Sequence, residues 1–197
     1  SNSINNNPPT IIYSDKPSLL VVIDGAPKVQ KNEKLGVDAV VNTPFNIIRY
    51  NNNKYYLFGG KPWYIANAAT GPYAITTSIP SNLSAIEAEI LQANKENNVQ
   101  QEDNDYVIYN IIVTTEPAEL LQSNGEPNFT PIQNTNLLFV KNSENDIFMD
   151  VTGQQYYVLL SGRGYRSSAL KGKWQYIAPD KLPTDFAKIP EGSPKDN

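Results

Sequence analysis

The sequence predicts a mainly β fold: a tandem duplication of a small antiparallel β module, with one linker helix. Three observations predict it. The chain of 197 residues repeats itself at an offset of about 100. Each repeat is a train of short β-branched and aromatic runs punctuated by Gly, Pro and Asn. A single segment between the repeats carries helical periodicity.

The duplication is read first, because a repeat changes the meaning of every later motif. Pro17, Leu20, Gly25, Pro27, Val40, Asn42 and Ile47 recur as Pro117, Leu120, Gly125, Pro127, Val140, Asn142 and Ile147. Average residue usage would give roughly two such matches over this stretch. One inserted residue then shifts the offset to 101, and Tyr55, Tyr56, Tyr64 and Gly71 match Tyr156, Tyr157, Tyr165 and Gly172. Shared Gly and Pro positions imply shared turns, since these residues restrict or extend the backbone. The two copies are therefore expected to superpose, with Gly25 and Gly125 in one turn and Tyr55 and Tyr156 on one strand.

Within each copy the strands follow in order. TIIYS and NIIVTT precede the first Pro, and VDAVVN and NLLFVKN follow the Gly-x-Pro turn. NIIRY with KYYLFGG, and DIFMD with QQYYVLLSG, read as hairpins. Short aromatic strands, KPWYIA or GRGYRSS and then PYAIT or KWQYIA, complete a meander of three to four strands preceded by one hairpin. Domain limits follow: a tail at 1–9, one copy at 10–83, an acidic helical linker at 84–107, the second copy at 108–190 and a tail at 191–197.

The linker begins SAIEAEILQANKENN. Ser84 with Glu87 three residues on is a capping box, and Ile86, Ile90 and Leu91 fall at helical spacing. A helix over about 84–97, the longest in the chain and capped by Ser84, is expected. The segment NNVQQEDND, residues 97–105, reads as a solvated connection.

Composition limits the chemistry. There are no cysteines and no histidines. Disulfides, Cys/His zinc sites and triads built on histidine are excluded. The expectation is no enzyme, no cofactor and no metal. A carboxylate hydrolase stays open: Asp24, Asp38, Asp146 and Asp150 are the carboxylates considered, but no spacing brings two of them together, as glycoside hydrolysis requires. The net charge of −4 collects in the linker, where Glu87, Glu89, Glu96, Glu102, Asp103 and Asp105 stand against Lys95 alone. No dense basic face suits nucleic acid. No apolar run approaches a membrane span. The N-terminal SNSINNNPPT lacks the basic and apolar regions of a signal peptide. Cysteine absence fits an extracytoplasmic, periplasmic or secreted, bacterial protein. The sequons at Asn82 and Asn128 matter only in a eukaryotic secretory context.

The second copy reads YYVLLSGRGY, LKGKW and LPTDF, and the first reads YYLFGGKPWY, TGPY and IPSNL. On these motifs, over most of both copies, the chain resembles a family of bacterial repeat proteins labelled carbohydrate-binding family V/XII. Its members repeat a phrase like YYVLLSGRWY, a Leu-x-Gly-Pro-Trp turn and a Leu-Pro-x-x-Phe segment. The resemblance implies a small β module binding polysaccharide through exposed aromatics. The chain departs from the pattern at two places: the phrase's Trp is Trp63 in the first copy but Gly164 in the second, and the turn's Trp is Tyr73 in the first copy but Trp174 in the second.

Two uses of the aromatics are open. Trp63, Tyr64, Tyr55 and Tyr56 in one copy, and Trp174, Tyr165 and Tyr176 in the other, would serve as a stacking platform, with Arg163 in its Ser-Gly-Arg-Gly turn gripping an anion. Alternatively they supply core volume. The first use describes a non-enzymatic binding module whose partner is polysaccharide. The second describes a structural or protein-interaction repeat unit of a larger bacterial cell-envelope protein. In a strand, successive side chains face opposite ways, so one tyrosine of each Tyr-Tyr pair is expected to face out or cap an edge.

Overall fold

The computed structural model describes residues 9–97 and 106–189. The expected tails and the acidic connection after the helix lie almost wholly outside them.

The first copy contains β1 (Thr10–Ser14), β2 (Ser18–Val22), β3 (Val29–Asn32), β4 (Val37–Val40), β5 (Ile47–Arg49), β6 (Tyr55–Phe58), β7 (Trp63–Ala66) and β8 (Ala74–Thr76). The helix α1 (Leu83–Glu96) follows. The second copy repeats the series as β9 (Asn110–Thr114), β10 (Ala118–Gln122), β11 (Phe129–Pro131), β12 (Leu137–Val140), β13 (Asp146–Asp150), β14 (Gln155–Leu160), β15 (Arg163–Ser167) and β16 (Gln175–Ile177). Two single 3-10 turns, Pro179–Lys181 and Thr184–Lys188, come last among the described residues.

The fold class is the expected one. β3 to β8 form a six-stranded antiparallel meander, and β11 to β16 form its counterpart. Equivalent residues hold equivalent registers: Tyr55 stands opposite Arg49 and Ala66, and Tyr156 opposite Met149 and Ser167. The meanders are longer than the expected three to four strands. VQKN and FTP carry little β signature, yet they add an edge strand to each sheet.

The turn shared by the copies is held by one side chain. Gly25 and Gly125 sit at φ +87° and +83°, a region open to glycine. The Asn42 amide donates to Asp24 O at 3.0 Å and Ala26 O at 2.9 Å, and its carbonyl accepts from Lys28 N–H at 2.9 Å. Asn142 makes the same three bonds, to Asn124 O, Glu126 O and Asn128 N–H, at 2.9, 2.8 and 2.8 Å.

The first two strands of each copy do not pair with each other. β1 runs parallel to β10, and β2 runs parallel to β9. The described residues therefore divide into two compact units that differ from the sequence copies: one falls within 18–117, the other within 1–17 and 118–197. Each unit takes one short strand from the other copy. Geometry requires this. A parallel neighbour is reached only by a long crossover, and only Asp15, Lys16 and Pro17 separate β1 from β2.

Each six-stranded sheet is covered on both faces. In the unit of residues 18–117, the β2–β9 pair packs over one face, where Val21, Ile23, Val40, Ile47, Leu57 and Tyr64 are buried. The other face meets α1, where Leu83, Ile86 and Ile90 close on Ile48, Tyr56, Phe58 and Trp63. In the second unit the β1–β10 pair covers Val140, Ile147, Val158 and Tyr165. Leu182, Phe186 and Ile189 from the last two turns take the place of the helix, against Phe148, Tyr157 and Ile177.

The helix is thus part of a core as well as a link. It is the longest among the described residues, as expected, but its start differs. Asn82 is the N-cap and makes no side-chain cap bond, so Ser84 is inside the first turn and the capping box does not form. No helix among the described residues is long and apolar enough to cross a membrane.

Candidate functional site

The expected aromatic rings lie inside: Trp174, Tyr165 and Tyr176 of the second copy share one core, whereas the four rings of the first copy divide between two. Trp63 is 4% exposed and Trp174 6%. Tyr56, Tyr64 and Tyr165 are buried, and Tyr55 and Tyr176 are half-buried against the same cores. Neighbouring residues on a strand still point to opposite faces. Tyr55 and Tyr64 join the cluster under the strand pair, while Tyr56 and Trp63 join the one under α1. The expectation that one tyrosine of each pair faces out assumed a sheet with one covered face, and here both faces are covered. Arg163 is half-buried at the start of β15, opposite Leu160.

Three of the rings hydrogen-bond backbone groups. The Tyr64 hydroxyl accepts the Tyr109 N–H at 2.8 Å; burial raises its pKa, and that hydrogen bond partly opposes the shift. The Tyr73 hydroxyl donates to Ala69 O at 2.8 Å. The Trp174 indole N–H donates to Leu170 O at 3.2 Å. Ala69 and Leu170 are equivalent at the offset of 101, so the Tyr-for-Trp departure keeps a bond to the same carbonyl. Burial pushes the Tyr73 hydroxyl well above the ordinary tyrosine range.

The other departure has a packing cause. A Cβ at Gly164, the counterpart of Trp63, would lie 3.3 Å from Ile177 Cγ2 and 3.5 Å from Leu182 Cδ2. The side chains of the C-terminal turns fill the space that Trp63 uses under α1. The Trp63 indole N–H is itself buried and has no hydrogen-bond partner among the described residues.

Two of the four carboxylates, Asp150 and Asp38, serve local structure. Asp150 accepts the N–H groups of Thr152 and Gly153, both at 3.2 Å, in its own turn. The Arg49 guanidinium donates to Asp38 at 3.1 Å, and its hydrogen bonds to Asp38 and Tyr55 hold its pKa up. Asp24 and Asp38 belong to one unit, Asp146 and Asp150 to the other. Among the described residues no group of three or more carboxylates is placed to hold a metal ion.

One concave surface was missed by sequence reasoning. In the unit of residues 18–117, a groove of about 470 Å³ is lined by Lys31, Asp38, Arg49, Tyr50, Asn51, Asn53 and Asn82, with Gly36 and Val37. Lys31, Asp38 and Arg49 are direct cross-strand neighbours on β3, β4 and β5. Their alternating charges form a ladder across the sheet edge. The ladder was hidden because VQKN did not read as a strand. The second copy places Pro131, Leu138 and Met149 in these positions, so the groove's charges belong to the first copy alone. Comparison with family models, with curated proteins and with solved structures finds no match for this chain.

Proposed function

We propose that this protein is a non-enzymatic framework: a structural or protein-interaction repeat unit of a larger bacterial cell-envelope protein. The observation that carries this reading is the burial of both tryptophans, in cores that each close one face of a sheet. A stacking platform needs an exposed ring face, and neither indole offers one. The conserved carbonyl partner of Tyr73 and Trp174 supports the same reading, because it fixes ring orientation for packing.

The test uses Trp63→Phe and Trp174→Phe, which keep an aromatic in the core. Both variants are expected to fold, with lower stability, and to match wild type in sedimentation with insoluble polysaccharides and with cell-wall fragments. Wild-type retention on a polysaccharide that is lost in a folded Phe variant would overturn the reading.

The groove favours a second reading. Carbohydrate binding, in this form, uses Tyr50 as the apolar face and Arg49, Asp38, Asn51 and Asn53 as polar groups that fix orientation. Titration of soluble oligosaccharides against wild type and Arg49→Ala distinguishes it. Saturable binding lost in Arg49→Ala supports it; no binding by wild type removes it.

A further inference from the structure

The parallel strand pairs name a partner. β1 meets β10 with Thr10 opposite Ala118 and Ser14 opposite Gln122. β2 meets β9 with Ser18 opposite Asn110 and Val22 opposite Thr114. In repeat terms these are one arrangement made twice: the first strand of one copy beside the second strand of the other, in the same register. Flanking bonds repeat too. Ser123 N–H donates to Ser14 O at 3.1 Å, and Ile23 N–H donates to Thr114 O at 2.9 Å. Gly125 and Gly25 donate to Asp15 O and Thr115 O, both at 3.2 Å.

One copy cannot make this pair from its own two strands. To lie parallel in this register, Ser18 would have to sit beside Thr10. The chain would then return about 14 Å from Ser14, given roughly 3.3 Å per residue and nearly 5 Å between strands. The connection through Asp15, Lys16 and Pro17 spans about 14 Å at full stretch. Nothing remains for the two reversals that a parallel connection needs. The strand must come from another copy of the module.

We propose that the segment Thr10–Ser14 is a donor strand, and that its place beside β10 can be filled by a second molecule of this chain. This is strand addition of the kind in which main-chain bonds give affinity and alternate side chains give fit. The fit is visible. Ile11 and Tyr13 enter the core with Leu121, Val140, Ile147 and Trp174, and the Tyr13 hydroxyl hydrogen-bonds Ser123. The donor's only covalent tie to its own copy is a three-residue connection, so exchange between molecules uses the same contacts as exchange within one. The inference rests on the interaction reading in one respect: it supplies that reading's partner.

The experiment uses the full chain with an endoprotease recognition sequence inserted between Gln100 and Gln101. The chain has no cysteine, so Ile12→Cys with Leu120→Cys reports on β1–β10 pairing alone. After cutting, the two fragments are expected to elute together at the mass of the uncut protein. The cysteine pair is expected to join them on a non-reducing gel. Two differently labelled cut preparations, unfolded together in urea and refolded, are expected to give hybrids carrying fragments of both origins. Fragments that separate under native conditions, fail to join, or refold without forming hybrids would overturn the proposal. None of these outcomes touches the burial of the tryptophans, so the reading of the aromatics stands or falls on its own test.

Discussion

Asn42 and Asn142 show how little of a repeat's identity is about surface chemistry. Each closes the Gly-x-Pro turn with three hydrogen bonds to backbone groups. Asn42→Ala or Asn142→Ala is expected to cost about 1–2 kcal/mol, as lost hydrogen bonds to backbone groups do. Chemical denaturation measures it, and an unchanged midpoint for both would refute the role. The match was legible in the sequence, but its meaning was not, because a pairwise identity does not say which carbonyls lie within reach. The tryptophans carry more. Trp63→Ala and Trp174→Ala are each expected to cost roughly 3–5 kcal/mol, in the range of large aromatic truncations in cores. The resemblance to carbohydrate-binding repeats led toward exposed rings. What the residues could not reveal was the second covering layer: the alternation of Tyr55 with Tyr56 is the same whether a sheet has one buried face or two.

Single elements show where local signals end and packing begins. The helix was legible from Ile86 and Ile90, which are buried against the sheet as their spacing implied. Its cap was not, because Asn82 starts the helix without a side-chain bond and Ser84 falls inside. Ser84→Ala is accordingly expected to change stability by less than about 0.5 kcal/mol, the range of surface changes away from special features. A loss near 1 kcal/mol would restore the capping box. The second copy fills the same face with two turns, and there a carboxylate matters. Asp185 accepts the Asn136 N–H at 2.7 Å and pairs with Lys188 at 3.1 Å. Both interactions hold its carboxyl below the usual range. A lowered folded-state pKa contributes stability above the unfolded pKa and loses it as pH falls through the folded one. Asp185→Asn is therefore expected to lower the melting temperature at neutral pH and to approach wild type in acid. A constant difference across that range would contradict the pairing. Gly164→Trp, which copies Trp63 into the second repeat, is expected to destabilise, since Ile177 and Leu182 already stand at the site.

At the scale of the whole molecule, the duplication was legible and the exchange was not. Gly, Pro and Tyr at matched positions identify equivalent turns and strands. They carry no information on which copy supplies a neighbour, because β1 and β9 offer similar apolar edges to β10 and β2. The connection of three residues did hold the clue, once the pairing was known to be parallel. Framework and interaction readings share one premise: the aromatics are inside. The chain has two tryptophans, so their emission reports on that premise without mutation. Acrylamide quenching of the native protein is the most direct measurement. Both indoles are expected to be strongly protected, with blue-shifted emission, and to become fully accessible only in denaturant. Native quenching of either one at the rate of the unfolded chain would contradict the buried framework and return the aromatics to the surface as a binding face.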